Sequence, residues 1–208
     1  GGFALALKQA GIKVTEHYFS EINDHAIANY KYNFPNAQPL GTVEHVQQWN
    51  IKHPRVNIIT FGSPCEDFSL AGKRAGLEGN RSSLIEHAIV SIQRFRPNIF
   101  IWENVKGAFS TNDGADFWAI IQAFTNIGGY RLEWQLFNTT WFLPQNRERI
   151  YLIGHLDQRS TPGILPYTGK DNSIVKGKHK PRFAKRIENN NNNNRDETRL
   201  LYWANSKD

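Results

Sequence analysis

The sequence predicts an α/β protein with a mostly parallel sheet and helices on both faces of that sheet. Three observations lead to this class. Short apolar runs typical of buried strands recur along residues 1–154, segments with helical spacing lie between them, and glycine or proline stands at the boundaries. Residues 155–208 break this alternation, so we divide the chain into a domain over 1–154 and a second region over 155–208.

The predicted elements of the first domain follow from local start and stop signals. Residues 2–10 are predicted to form a helix that ends at Gly11, and Asn23 is the predicted N-cap of a helix over 24–32. The other predicted helices lie over 84–95 and 117–127, and the predicted strands over 14–19, 56–61, 99–102, 130–136 and 150–153. Residues 199–203 are a further apolar run and are expected to begin another element.

Charge is concentrated in the second region. Residues 1–154 hold 14 Lys and Arg against 13 Asp and Glu, whereas residues 155–208 hold 11 against 6. A basic appendage on a nearly neutral body favours a polyanionic partner, with nucleic acid the first candidate. The alternative is a solvated flexible tail, and the asparagine run over 189–194 is best interpreted as a solvated loop.

Composition excludes several classes. With one Cys in 208 residues the chain forms no internal disulfide, which fits a reducing cytoplasm. No apolar run reaches the length of a membrane span, no signal peptide is recognisable, and no residue cluster indicates a metal. The chain contains no Met, and we therefore expect a sequence that has been cut.

Reactive side chains follow two of the predicted buried strands. Cys65 comes shortly after one strand and Glu103 after the next, so parallel strands bring both to one edge of the sheet. Gln145, Arg147 and Arg149 alternate before the last strand and face the same way if that segment is extended. A thiolate, an acid and guanidinium groups suit addition of sulfur to an electron-poor ring. Taken singly, each residue also fits a bland role: a buried thiol, a solvent contact or a charged sheet edge.

Three motifs carry a resemblance to a known family. The segment Pro64-Cys65-Glu66 resembles the Pro-Cys-Gln motif of the DNA cytosine-5 methyltransferases, and residues 103–105 match their Glu-Asn-Val motif. Residues 145–149 match their Gln-x-Arg-x-Arg motif, and residues 72–84 resemble their mobile loop and the helix after it. The resemblance implies a Rossmann-like methyltransferase fold that uses S-adenosylmethionine to methylate C5 of cytosine in duplex DNA.

The resemblance also implies roles for individual residues. Cys65 attacks C6 of a flipped cytosine, Glu103 binds N3 and the amino group, and Arg147 and Arg149 contact the base oxygen and the thiolate region. The implied cofactor residues are Gly1, Gly2, Phe3, Glu21, Ile22, Thr42, Val43, Gly62, Pro64 and Leu84. The implied DNA contacts are Ser69, Lys73, Arg81 and Gln145.

One of these residues has an alternative role, and two further positions differ from the family's usual residues. Glu21 is implied to hold the ribose hydroxyls while Ile22 packs on the adenine, but Glu21 alone also fits an acid at a helix start. Thr42 stands where the family often has Asp. Glu66 replaces the usual Gln, and a carboxylate there is expected to raise the pKa of Cys65 and to repel phosphate.

The resemblance further implies that the sequence is truncated at both ends. The family's first strand and most of its glycine loop would precede Gly1, and that strand would occupy the middle of the sheet. We therefore expect strands with unpaired backbone groups, weak or no binding of S-adenosylmethionine, and no activity from these 208 residues alone. Residues 155–208 would begin the target-recognition region.

The expected setting is a prokaryotic or phage modification system in the cytoplasm, with no membrane contact. A cognate restriction enzyme or a complementing C-terminal half is an expected further partner. Two alternatives stay open at this point: an inactive fragment or half of a split enzyme that only binds DNA, and an RNA cytosine-5 methyltransferase.

Overall fold

The computed structural model describes residues 1–52, 55–63, 84–107, 114–156, 164–165 and 198–204. The helices within these residues are α1 Gly2–Gln9, α2 Asp24–Asn33, α3 Leu84–Phe95 and α4 Ala115–Asn126, with short 3-10 helices at Val43–Gln48 and Thr139–Trp141. The strands are β1 Val14–Ser20, β2 Gln38–Pro39, β3 Ile58–Gly62, β4 Ile99–Val105, β5 Arg131–Asn138, β6 Glu148–His155 and β7 Thr198–Ala204.

The seven strands form one mixed sheet in the order β2-β1-β7-β3-β4-β6-β5. All neighbours from β2 to β4 are parallel, and β6 runs antiparallel to both β4 and β5. The predicted fold class is confirmed, and the predicted strands and helices all form, with bounds that shift by a few residues.

Helices cover both faces of the sheet, as the alternation predicts. On one face, α3, α4 and the first 3-10 helix pack against the large side chains of β3 and β4, including Phe61, Phe100 and Trp102. On the other face, α1 packs Ala4 and Leu7 against Ile58 and Leu200, and α2 packs Tyr30 against Phe19. No helix in the described part of the chain is long and apolar enough to cross a membrane.

Local signals at the helix ends act as predicted. The side chain of Asn23 accepts a hydrogen bond from the Ala26 amide at 3.0 Å and caps α2. Gly11 follows α1 with φ at +74°, and Gly128 and Gly129 follow α4 with φ at +75° and +77°. This left-handed backbone is accessible to glycine at low cost, so each helix ends where the sequence indicates.

The centre of the sheet differs from expectation. The truncation implied by the resemblance leads to the expectation of unpaired backbone groups in the middle of the sheet, and that expectation is wrong for the described strands. Strand β7 lies between β1 and β3 and pairs in parallel with both, with Tyr202 opposite Phe19 on one side and Thr60 on the other. Leu200 and Leu201 are fully buried there. An apolar run from the second region thus supplies a central strand, while the division at residue 154 stays a prediction.

Candidate active site

The centre of the candidate site is an ion pair between adjacent strands. Glu103 lies near the carboxyl end of β4, and Arg149 lies near the start of the antiparallel β6. The Arg149 Nε atom is 3.0 Å from Glu103 Oε1, and the Arg149 and Glu103 side chains are 21% and 28% exposed, respectively. The two residues, each predicted from its own motif, therefore meet at an edge of the sheet that solvent can reach.

Gly62 makes room for the Glu103 carboxylate. Gly62 is the register partner of Glu103 on the neighbouring strand β3. A Cβ atom at this position would stand 3.3 Å from Glu103 Oε2, closer than ordinary van der Waals contact. A larger residue at position 62 would therefore push on the carboxylate, which explains why glycine suits the end of this strand.

The backbone just before the predicted nucleophile is held by two side chains of β4. The Asn104 amide donates to the Ser63 carbonyl at 2.9 Å, and the Trp102 indole donates to Ser63 Oγ at 3.1 Å. Asn104 Oδ1 in turn accepts from the Val105 amide at 2.8 Å. Ser63 is buried, so these bonds fix where the chain leaves β3. Asn104 belongs to the quoted motif, but no local signal in the sequence indicates this anchoring role.

Several predicted residues lie outside the described residues. These are Pro64, Cys65, Glu66, Ser69, Lys73 and Arg81. Their assigned roles remain predictions, as does the capping box that begins at Ser83. Leu84 is described as the first residue of α3.

The predicted nucleoside-binding residues follow β1. The carboxylate of Glu21 accepts from the amides of Ile22 and Asn23 at 2.8 and 3.0 Å, the arrangement expected of an acid at a helix start. The neighbouring Ile22 side chain is 59% exposed. Thr42 Oγ accepts from the Glu44 amide at 3.3 Å and caps a 3-10 helix that buries Val43. A carboxylate beside an exposed aliphatic side chain suits a nucleoside. The ribose hydroxyl groups donate hydrogen bonds, and the flat face of the base packs on an aliphatic side chain.

Aromatic residues line the space between the carboxylates of Glu21 and Glu103. The Tyr202 ring of β7 stacks on Tyr30 with centroids 5.3 Å apart. The Phe3 ring of α1 lies 6.5 Å from Tyr202 and 6.2 Å from Tyr151 of β6. Burial, aided by the negative charges of Glu21 and Glu103, raises the pKa of Tyr202 to about 12. No local signal in the sequence indicates Tyr202, because its place in the site depends on the central position of β7.

Arg147 and Gln145 lie in the turn that leads into β6. Both are exposed, and the Arg147 carbonyl accepts from the Thr139 amide at 3.0 Å. Burial raises the pKa of Tyr151, the Glu103 charge adds to that shift, and the positive charges of Arg149 and Arg147 oppose it. Arg147 is therefore close enough to act on the same face as Arg149. Gly1 and Gly2 begin the chain at α1, where a Cβ atom on Gly1 would stand 3.0 Å from Phe34.

The described residues include no group of three or more His, Cys, Asp and Glu side chains arranged to hold a metal ion. The arrangement instead offers an acid, a paired guanidinium and an anchored strand end. Such groups bind, orient and protonate an organic ring.

Comparison with known proteins points to one family. Residues 1–206 match the family described as C-5 cytosine-specific DNA methylase. The orphan methyltransferase M.Rho11sI of Bacillus phage rho11s is 33% identical over 182 residues, which are 86% of this chain and 36% of the phage protein. The type II methyltransferase M1.ScrFI of Lactococcus lactis subsp. cremoris is 36% identical over 161 residues, which are 77% of this chain and 40% of that protein.

Solved structures agree on the fold. A crystal structure of a Spodoptera frugiperda DNMT2 mutant has a TM-score of 0.58 at 22% identity, covering 78% of this chain and 49% of that one. A putative DNA modification methyltransferase encoded within an Escherichia coli prophage has a TM-score of 0.54 at 22% identity, covering 74% and 43%. These proteins share the Rossmann-like fold of S-adenosylmethionine-dependent methyltransferases. The chain spans less than half of the length of the curated relatives that it matches, and it belongs to the C-5 cytosine-specific DNA methylase family.

Proposed function

We propose that the protein transfers a methyl group from S-adenosylmethionine to C5 of cytosine in duplex DNA. The observation that carries this proposal is the Glu103–Arg149 ion pair, at 3.0 Å, beside the anchored residue Ser63. Cys65 is two residues beyond Ser63 and is the chain's one thiol. The match over residues 1–206 and the relatives named as methyltransferases support the same reaction.

The chemistry begins at the base ring. The Cys65 thiolate adds to C6 of a flipped cytosine and forms a carbon–sulfur bond, while the carboxyl group of Glu103 donates its proton in a hydrogen bond to N3 and so stabilises the negative charge that develops there. S-adenosylmethionine, when bound, would supply an electrophilic methyl group to C5 and would leave as S-adenosylhomocysteine. Transfer of the C5 proton to a base or to water then lets the bond to Cys65 break, so the thiolate leaves and the ring becomes aromatic again.

Arg149 and Arg147 support the addition through their positive charges. Arg149 keeps Glu103 oriented and offers a cation beside the base oxygen. The negative charge on that oxygen increases as the thiolate adds. Arg147 lies exposed at the same edge of the sheet and suits a phosphate or base contact. Gln145, Ser69, Lys73 and Arg81 are the further DNA contacts that we propose.

For the cofactor, we propose that Glu21 binds the ribose and that Ile22 packs on the adenine. Gly1, Gly2, Phe3, Thr42, Val43, Gly62, Pro64 and Leu84 line the rest of that pocket. The exposed side chain of Ile22 supports this assignment. The bonds from Glu21 to its own backbone amides are compatible with a second role, because a carboxylate accepts at two oxygens. A bacterial or phage cytoplasm, where the DNA lies, is the proposed setting.

Covalent trapping tests the proposal. Duplex DNA with 5-fluorocytosine at the target position has no C5 proton to lose, so the adduct to Cys65 persists and survives denaturing electrophoresis. We expect a trapped complex that needs S-adenosylmethionine and that the Cys65→Ala variant of the full-length protein does not form. Labelling of tRNA in preference to duplex DNA, measured side by side, would contradict the proposed substrate.

Binding of S-adenosylmethionine to the 208-residue chain alone is a separate measurement. Because β7 pairs with both β1 and β3, the expected cause of weak binding, an open centre of the sheet, no longer applies. Weak binding or none remains our prediction, since most of the glycine loop expected from the resemblance would precede Gly1. Isothermal calorimetry with the isolated chain decides it, and micromolar affinity would show that Glu21, Ile22 and Gly62 suffice.

A further inference from the structure

Large apolar side chains are exposed in the connection between β5 and β6, residues 139–147, which we name the β5–β6 loop. Trp141 is 44% exposed, Phe142 is 50% exposed and Leu143 is 58% exposed. These three consecutive residues all present apolar surface to water. A contiguous apolar surface of this kind is typical of a binding site.

The backbone of this loop is organised by its own hydrogen bonds. The Asn138 side chain accepts from the Thr140 amide at 3.0 Å, and the Thr139 carbonyl accepts from the amides of Phe142 and Leu143 at 2.9 and 2.8 Å. Thr139 Oγ donates to the Gln145 carbonyl at 2.5 Å and closes the loop. The exposed rings are therefore presented on a backbone that is already ordered, which lowers the entropy cost of binding a flat partner.

The loop lies at the same edge of the sheet as the candidate active site. Arg149 is the register partner of Val105 on β4 and of Phe137 on β5, so the loop before β6 lies beside the carboxyl end of β4. The Trp141 ring is 5.7 Å from Phe137, whose ring is 5.5 Å from Tyr151. A continuous row of aromatic rings thus connects the exposed loop with the surroundings of Glu103.

Polar and cationic groups accompany the rings. Gln145 and Arg147 are exposed in the same loop, and Lys106 is 56% exposed where it pairs with Glu148 at 2.8 Å. Aromatic rings beside cations are the combination that unpaired nucleic acid binds, because every base offers a flat face and every phosphate a negative charge.

We propose that Trp141 and Phe142 form a stacking platform for DNA bases that become unpaired next to the target cytosine. The inference rests on the proposed function and adds an interaction surface to it. Stacking accepts any base, so the platform raises affinity for DNA that is locally open and leaves sequence preference unchanged. Arg147 holds the adjacent phosphate and supplies the salt-dependent part of the same contact.

Equilibrium binding of the full-length protein to two labelled duplexes tests this surface. One duplex is fully paired, and in the other the target cytosine and the base pairs on either side of it are mispaired. We expect wild type to prefer the mispaired duplex, and the double variant Trp141→Ala/Phe142→Ala to lose about tenfold in affinity for it, the scale of base–aromatic stacking. The single variant Trp141→Phe should keep most of the wild-type affinity, since a phenyl ring still stacks.

Two controls separate stacking from other causes. Trp118 of α4 is 61% exposed, and Trp118→Ala should change the affinity by less than about twofold, as surface substitutions usually do. The double variant should keep the wild-type dependence of affinity on salt, whereas Arg147→Ala should reduce its logarithmic slope by about one. Circular dichroism verifies that each variant is folded, which the exposure of both rings leads us to expect.

The outcomes distinguish this inference from the proposed function. Equal affinity of wild type and the double variant for the mispaired duplex overturns the platform, even if both form the adduct through Cys65. The exposed rings would then contact a protein segment and not DNA. Failure of wild type to bind either duplex overturns it as well. A tenfold loss in the double variant supports the platform, including the case in which wild type forms no adduct and the proposed chemistry fails.

Discussion

Two carboxylates on the same face of the sheet have different surroundings, and we propose a catalytic role for one and a structural role for the other. Glu103 of β4 and Glu133 of β5 both lie beside a cationic or basic residue of β6. The Glu103 pair is at the carboxyl end of β4, and the Glu133 pair is at the opposite end, where His155 is opposite Ile99. Both are carboxylates on extended backbone, and what differs is their surroundings.

Glu133 is enclosed and has several partners. Its carboxylate bonds the His155 ring and accepts from the amides of Ile164 and Leu165 at 2.9 and 3.1 Å. The Glu133 side chain is 14% exposed and that of His155 is 1% exposed, against 28% for Glu103 and 21% for Arg149. Glu133 thus ties the segment after β6 to the sheet, while Glu103 remains accessible to a substrate.

The largest expected effect comes from replacing the predicted nucleophile, Cys65. Cys65→Ala in the full-length protein should abolish methylation of duplex DNA, because Cys65 is the only thiol in the sequence. Tritium transfer from labelled S-adenosylmethionine measures it, with thermal unfolding as the control for folding. Methylation near the wild-type rate in this variant would show that Cys65 is not the nucleophile.

The same substitution at both carboxylates tests the comparison directly. Glu103→Gln should slow single-turnover methylation by roughly 10²–10⁴, the range of general acid–base groups, with little change in affinity for S-adenosylmethionine. Glu133→Gln should leave the rate of the folded protein nearly unchanged and lower its stability by about 1–3 kcal/mol, the cost of disrupting a buried hydrogen-bonded group.

The reverse pattern would show that the two ends have been assigned the wrong way round. Urea unfolding monitored by tryptophan fluorescence gives the stabilities, and calorimetry gives the cofactor affinities. A Glu103→Gln variant with a normal rate and poor binding of S-adenosylmethionine would place Glu103 in the cofactor pocket instead.

Sequence and structure agree best where the chemistry depends on strand order. The apolar runs before Cys65 and before Glu103 were sufficient to predict β3 and β4, and the carboxyl ends of parallel neighbours necessarily meet. The Glu103–Arg149 contact then follows from β6 running back along β4. This part of the site was predictable because each strand carries its own hydrophobic signal.

Long-range pairing accounts for what was missed. Leu200 and Leu201 mark a buried strand, but nothing local indicates that β7 lies between β1 and β3, since residues 156–197 separate it from β6. Glu133 and His155 are 22 residues apart and meet only through the register of β5 and β6. Such contacts are set by the tertiary fold, so no local pattern in the sequence indicates that Glu133 and His155 meet.

A moderate effect is expected from the partner of Glu103. Arg149→Lys keeps the charge but loses the fork of donors, so the rate should fall by about tenfold or more, and Arg149→Ala should cost roughly 10²–10³, as for a donor to developing charge. Single-turnover kinetics under saturating cofactor measures both. Equal rates for the two variants would show that the geometry of the 3.0 Å contact is irrelevant.

The smallest effect is the pH dependence of the structural end. Burial by itself raises the pKa of Glu133, but the amides of Ile164 and Leu165 and the neighbouring His155 outweigh it, and the net pKa lies below the ordinary value of 4.5. The unfolded chain therefore takes up a proton at higher pH than the folded one. Stability from Glu133 is complete above about pH 4.5 and is lost as the pH falls through the lowered folded value.

Urea unfolding of wild type and Glu133→Gln from about pH 7 to about pH 3 measures this loss. The difference of about 1–3 kcal/mol at neutral pH should shrink as the pH falls below the ordinary range of a carboxyl group, because the amide of the variant has no proton to gain. Arg131 and His155 face the same carboxylate, and both are present in the wild type and in the variant. Glu148→Gln removes the exposed partner of Lys106 and should change stability by less than about 1 kcal/mol at every pH. If the difference in the free energy of unfolding between wild type and Glu133→Gln stays constant down to the lowest pH, the negative charge of Glu133 does not contribute to stability.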